Sequence, residues 1–177
     1  SHLHFDHMGG ATFKREDGKI VPTFPKAKYI VQKGEWEAAT NPDERSRGSY
    51  IADDFMPVAD AKQIEFVNGD AEIESGIRVK LTGGHTKHHQ AVIVESEGAK
   101  AIFLGCVMPT TKHIKPAYVM AYDLLPQEVV KARKELANWA VQENAICVWI
   151  HDPQIAAGYI RKDKENFTIE QVEAVRQ

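Results

Sequence analysis

The sequence predicts a mixed α/β fold built in layers, and three observations carry that expectation. Short β-branched runs are spaced by turn residues, one amphipathic helix follows them, and a buried apolar strand follows the helix. A length of 177 residues fits about one domain, taken here as 1–177. With 43% hydrophobic and 27% charged residues, the composition excludes a collagen, a disordered tail and a disulfide-rich mini-protein. No run approaches the ~20 apolar residues of a membrane span. Against 25 Asp+Glu there are 22 Lys+Arg, a formal charge of −3, which argues against a dedicated nucleic-acid binder. Cys106 and Cys147 are too few for a disulfide framework. Eight His, several clustered, set the chain apart from an average one.

The elements follow in order. Residues 1–7 read as the end of a strand or an extended turn, with Gly9 and Gly10 allowing a tight turn after it. Lys14 to Pro25 carries Asp17-Gly18 and two prolines and reads as a loop. Ala27 to Gln32 is strand-like, Lys33 to Ala39 a short helix, and Thr40 to Gly48 a charged surface loop. Ile64–Val67, Ile77–Leu81, Gln90–Glu95 and Lys100–Leu104 are spaced like a β-meander. A helix is expected to start near Asp123, with Asp123 as N-cap, Pro126 in its first turn and Glu128 at the positive end of its dipole. Val129, Ala132, Leu136 and Ala140 recur at helical spacing and are expected to face the core. Ala145 to Ile150 reads as a buried strand ending at His151-Asp152-Pro153, and the polar tail from Gly158 has room for two short strands.

The chemistry concentrates in His2-x-His4-x-Asp6-His7. In an extended chain i, i+2 and i+4 point to one side, so His2, His4 and Asp6 converge and His7 lies beside them. Neutral imidazole and carboxylate are the usual ligands of Zn²⁺ and related metals. Chance would supply this pattern only roughly 10⁻³ times in a chain of this composition. Gly83-Gly84-His85-Thr86 lies between two expected strands, which makes His85 a further ligand candidate. His89 reads as a supporting partner and His88 as an exposed residue. Cys106 ends a buried strand, where a Cys is either a small core residue or a thiolate ligand. Cys147, inside AICVWI, reads as core. His151, at a third strand end, completes a candidate cleft.

Together these residues resemble the metallo-β-lactamase fold hydrolases. SHLHFDHMGG is similar to that family's [ST]HxHxDHxGG motif, TGGHTKHH to its TPGHTPGH segment, and WIHDP to its terminal His motif. IFLGCVMPT resembles the strand ending in Gly-Asp, with Cys106 in the place of a bridging Asp. The resemblance implies an αββα sandwich, incomplete here because the family's N-terminal strands have no counterpart before Ser1. It implies two divalent metal ions, with Zn expected and Fe or Mn as alternatives. His2, His4 and His85 would hold one, and Asp6, His7 and His151 the other. A water clamped between two metals has its pKa lowered toward 7 and attacks the substrate, with Asp6 orienting the nucleophile's proton. Tyr118 and Tyr122 follow Cys106 and could meet the leaving group, though each reads first as a packing residue.

The expected function is therefore a metal-dependent hydrolase of small esters, lactones or related bonds acting on a small-molecule substrate. A thioester hydrolase of the glyoxalase II kind is the next reading, for which Lys112 and Lys115 would contribute a basic pocket. A non-catalytic metal-binding or structural module is the third, because the bridging Asp is replaced. Neither a nucleic-acid nor a membrane partner is expected, and a homo-oligomer is left open. The sequence opens inside its ligand motif at Ser1, so it is expected to be a piece of a longer polypeptide with β-rich sequence ahead of it. A cytoplasmic location is favoured, with any targeting signal expected in that preceding part.

Overall fold

In the computed structural model, which describes residues 1–164 and 166–172, the backbone divides into units Ser1–Gly69 and Asp70–Gln177. The first unit begins with an extended segment and a one-turn helix, α1 (Phe5–Met8). The expected extended turn over residues 1–7 thus holds only to His4. The His4 carbonyl accepts both the His7 and the Met8 N–H at 3.0 Å, which winds the chain into a turn and carries Asp6 and His7 onto it. The expected loop after Lys14 is a small antiparallel hairpin instead, β1 (Thr12–Lys14) with β2 (Ile20–Pro22). Its turn is closed by Gly18 at φ 82°, a conformation that an L side chain resists.

β3 (Tyr29–Gln32) and α2 (Lys33–Thr40) match the expected strand and helix. The pattern reading passed over α3 (Ala52–Asp60), a helix with Pro57 inside it. Proline has no N–H for the carbonyl four residues back, here Asp53. The Thr12 hydroxyl donates to that carbonyl at 3.0 Å and replaces the missing bond. Phe55 and Val58 bury the inner face of α3 with Leu3, Met8, Val31, Ala39 and Tyr50, forming the core of this unit.

β4 (Ile64–Val67) has the expected limits but not the expected place. It pairs in parallel with β3, Tyr29 opposite Ile64, rather than joining the following strands as the first of a meander. Periodicity fixes a strand but not its partner, and the chain between β3 and β4 is long enough for a parallel crossover.

The second unit is built on a seven-stranded sheet. β5 (Ala71–Glu74), β6 (Ile77–Leu81), β7 (Gln90–Ser96) and β8 (Ala99–Phe103) form an antiparallel meander. α4 (Pro126–Gln142) then leads to β9 (Ile146–Val148), which pairs in parallel with β8. β10 (Ala157–Asp163) and β11 (Asn166–Gln171) finish the sheet as a hairpin. The last residues of the expected tail, 173–177, lie outside the described ones.

Val129, Ala132, Leu136 and Ala140 are all buried and join Ile93, Ile102, Leu104, Cys147 and Ile160 in one core. Pro126 occupies the first turn of α4 as expected. Asp123 is not the N-cap: that position is Leu125, and the Asp123 carboxylate is committed to other partners. Among the described residues no helix is long and apolar enough to cross a membrane.

Candidate metal centre

In the first unit, the extended stretch before α1 presents His2 and His4, and α1 itself presents Asp6 and His7. The His2 ring lies 4.4 Å from the His4 ring and 4.2 Å from the His7 ring, centroid to centroid. His2 and His4 are buried, at 5% and 8% exposure, so they are held within the fold rather than carried as a solvated tag. The Asp6 Oδ2 and His7 Nε2 atoms are 3.4 Å apart.

A buried glutamate fixes this segment. The Glu35 carboxylate, on α2, accepts the Leu3 backbone N–H at 3.1 Å and the Tyr50 hydroxyl at 3.0 Å. The Tyr50 ring then packs edge-on against His4, at 4.9 Å. Burial first, and the Glu35 charge second, push the Tyr50 phenol far above its ordinary range, so it stays a proton donor to Glu35. Sequence reading missed both residues. The one available signal was the acid Glu35 in the first turn of a short expected helix.

In the second unit, Thr82 to His89 link β6 to β7. His88 and His89 end this connection, and His88 is half-buried rather than exposed. Gly84 adopts φ 92°. A Cβ there would lie 2.7 Å from Val129 Cγ2 and 2.9 Å from the Val129 nitrogen, so only glycine lets this turn seat against the start of α4. The backbone is locked there by the Leu125 N–H donating to the Gly84 carbonyl at 2.9 Å and the Leu124 N–H to the His85 carbonyl at 3.1 Å.

His85 is thereby placed with its Nδ1 2.9 Å from Asp123 Oδ1, both side chains almost wholly buried. The second Asp123 oxygen accepts the Met120 N–H at 2.8 Å. A carboxylate at Nδ1 keeps the proton on that nitrogen and turns the Nε2 lone pair outward, the tautomer that a metal ligand requires. Asp123 thus supports a candidate ligand, a role its capping-type sequence context concealed.

His89 is fully buried and supports position 106. Its Nε2 accepts the Cys106 backbone N–H at 3.0 Å, which assigns the ring proton to Nδ1, 2.6 Å from the Thr82 hydroxyl. Thr82 in turn donates to the His89 carbonyl at 3.0 Å. The Cys106 Sγ lies 3.4 Å from His151 Nε2. Next to it, Asp152 ties the end of the strand to the loop after Cys106: it accepts the Thr111 N–H at 2.8 Å and the Thr111 hydroxyl at 2.6 Å. Desolvation pushes the Asp152 carboxyl up, but the Thr111 hydroxyl and the N–H groups of Ile155, Gln154 and Thr111 outweigh it and hold it well below the usual range. Cys147 is core, as its sequence context implied, and burial raises its thiol to about 12.

The loop between Cys106 and α4 is stapled by Arg133, which is wholly buried. Its Nε donates to the Val107 carbonyl at 2.6 Å and its Nη1 to the Tyr118 carbonyl at 2.5 Å. Burial lowers the guanidinium to about 10, opposed by the Asp123 charge, so it stays protonated at neutral pH. Tyr118 and Tyr122 are not packing residues, with 54% and 65% exposure. Tyr122 stands edge-on to His85 at 6.0 Å, whereas Tyr118 stacks under Lys115 at 5.1 Å.

The donor set suits a transition metal. Two ligand atoms on one tetrahedral Zn²⁺, at the usual Zn–N, Zn–O and Zn–S lengths, stand roughly 3.3–3.6 Å apart. Asp6–His7 in the first unit and Cys106–His151 in the second both have that spacing, at 3.4 Å each.

Comparison with known proteins agrees with this chemistry. Residues 1–151 match the family described as the metallo-beta-lactamase superfamily. An N-acyl homoserine lactonase from Bacillus sp. is 30% identical over 86% of this chain and 54% of its own length. A probable metal-dependent hydrolase from Staphylococcus aureus superposes with a TM-score of 0.86 at 28% identity, over 99% of this chain and 61% of the other. An N-acyl homoserine lactone hydrolase, with the product N-hexanoyl-L-homoserine bound at its catalytic metal centre, superposes with a TM-score of 0.66 at 26% identity, over 86% of this chain and 54% of the other. The chain spans about half the length of the curated relatives it matches.

Proposed function

Since this chain belongs to the metallo-beta-lactamase superfamily, we propose that it carries the ligand set of a metal-dependent hydrolase that opens lactones or small esters. The observation that carries this reading is the set of prepared donors, above all His85 held in its ligating tautomer by a buried Asp123. The lactonase relatives support lactones as the substrate class, since two of the compared proteins are N-acyl homoserine lactone hydrolases.

In this proposal His2, His4 and His85 hold one metal ion, and Asp6, His7 and His151 hold a second. Cys106 adds a thiolate where the family carries a bridging carboxylate. The metal ions, when bound, supply positive charge that lowers the pKa of a water and stabilises a developing oxyanion. Asp6 ligates through one carboxylate oxygen and orients the nucleophile's proton with the other. Asp123 keeps the proton of His85 on Nδ1 throughout. Tyr122, beside His85 and exposed, would give its phenol proton to a departing alkoxide.

A second reading, a metal-binding module without turnover, is favoured by one observation: the residue beside His151 is a thiol rather than a carboxylate. Elemental analysis of the purified protein, combined with turnover of acyl homoserine lactones, chromogenic esters and thioesters, separates the readings. The hydrolase reading expects metal together with lactone or ester turnover that is lost in His85→Ala. Metal without turnover of any substrate supports the module, and thioester turnover alone moves the assignment to the glyoxalase II kind.

A further inference from the structure

We propose that the second unit carries a separate ligand pocket for an amphipathic small-molecule anion, a carboxylate or phosphate group on an apolar body. The pocket has a volume of about 660 Å³, within the range of small-molecule sites. None of the candidate metal ligands lines it. Three elements form its walls: the loop after Cys106, the outer face of α4, and the β10–β11 hairpin.

Its charge is one-sided. Lys115, Lys134 and Lys162 line it, from three different elements, and no Asp or Glu does so among the described residues. In a chain whose acids outnumber its bases by 25 to 22, three lysines lining one pocket with no carboxylate among the described lining residues run against the composition. Such a cluster raises the local concentration of anions. Asn138 lines the same wall one helical turn after Lys134, its amide N–H donating to the Lys134 carbonyl at 2.8 Å.

Apolar side chains line the pocket as well. Ile114 is buried, and Phe167 packs against the core of the unit while also lining the pocket. Lys115 sits over the Tyr118 ring at 5.1 Å, which holds an ammonium at the edge of the apolar surface. Arg133 on α4 ties this loop down through the Tyr118 and Val107 carbonyls. A ligand with one anionic end and an apolar body satisfies both surfaces, whereas a bare anion or a neutral apolar molecule satisfies one.

Isothermal titration calorimetry on the full chain tests this with octanoate, 1-octanol and inorganic phosphate. Octanoate should bind more tightly than either of the others. The double substitution Lys134→Glu with Lys162→Glu should weaken octanoate about ten-fold or more. Lys131→Glu, on α4 outside the lining, should leave it unchanged. Equal binding of octanoate and octanol, phosphate binding as tight as octanoate, or an octanoate affinity indifferent to the double substitution each overturns the proposal. Binding to phosphatidylglycerol vesicles with none to dissolved octanoate also overturns it, in favour of a membrane surface.

Discussion

In the proposed centre, two residues bear most directly on metal binding. Asp123 fixes the tautomer of His85 through a buried 2.9 Å contact. Asp123→Asn keeps the shape but offers an amide that can donate to Nδ1 and drive the ring proton to Nε2, where it blocks ligation. Metal affinity, read by competition with a chromogenic chelator, is expected to fall about 10–100-fold. An unchanged affinity would show that His85 is not a ligand. Cys106 poses the complementary question. A carboxylate spans two metals with two oxygens, whereas a thiolate has one sulfur, bonds of about 2.3 Å to Zn²⁺ and a susceptibility to oxidation. Cys106→Asp is therefore expected to raise metal content per chain and lactone or ester turnover, both measured under reducing conditions. If neither rises, the thiol is a competent ligand as it stands or the centre does not turn over.

At the scale of the element, α3 is held by a repair. Pro57 leaves the Asp53 carbonyl without its helical donor, and the Thr12 hydroxyl serves it from β1. Thr12→Val removes that donor without changing the side chain's shape and is expected to cost about 0.5–1.5 kcal/mol. With Pro57→Ala the helix can supply its own N–H, so the same Thr12→Val change should cost distinctly less. Urea unfolding of the four proteins of this double-mutant cycle measures the coupling. Additive costs would mean that the Thr12 hydroxyl does not stand in for the N–H that Pro57 lacks.

For the whole molecule, metal binding and stability are linked, because a ligand that binds only the native state stabilises it by mass action. With free Zn²⁺ at about a hundred times its dissociation constant, Tm is expected to rise by about 5–10 °C. EDTA should reverse the rise, and His4→Ala or His85→Ala should shrink it. His113→Ala, outside the proposed ligand set, should leave it intact. A Tm indifferent to Zn²⁺ and EDTA would remove the metal centre from the account of this fold.

The sequence by itself determined the elements whose signals are local. Period-two runs gave β6, β7 and β8 to within a residue or so, and four apolar positions at helical spacing gave the buried face of α4. It also determined the candidate ligands, because His2, His4, Asp6 and His7 are neighbours in the chain and stand out from its composition. Only the tertiary structure decided which strand pairs with β4, since one strand's alternation is blind to its partner. Only it revealed Glu35, Asp123 and Arg133 as supports: each is a common polar residue, and its function comes from being buried against a group 26 to 38 positions away along the chain. Ligation chemistry is written in residue type and spacing, whereas the hydrogen bonds that orient ligands depend on distant segments meeting in a place where water cannot substitute for them.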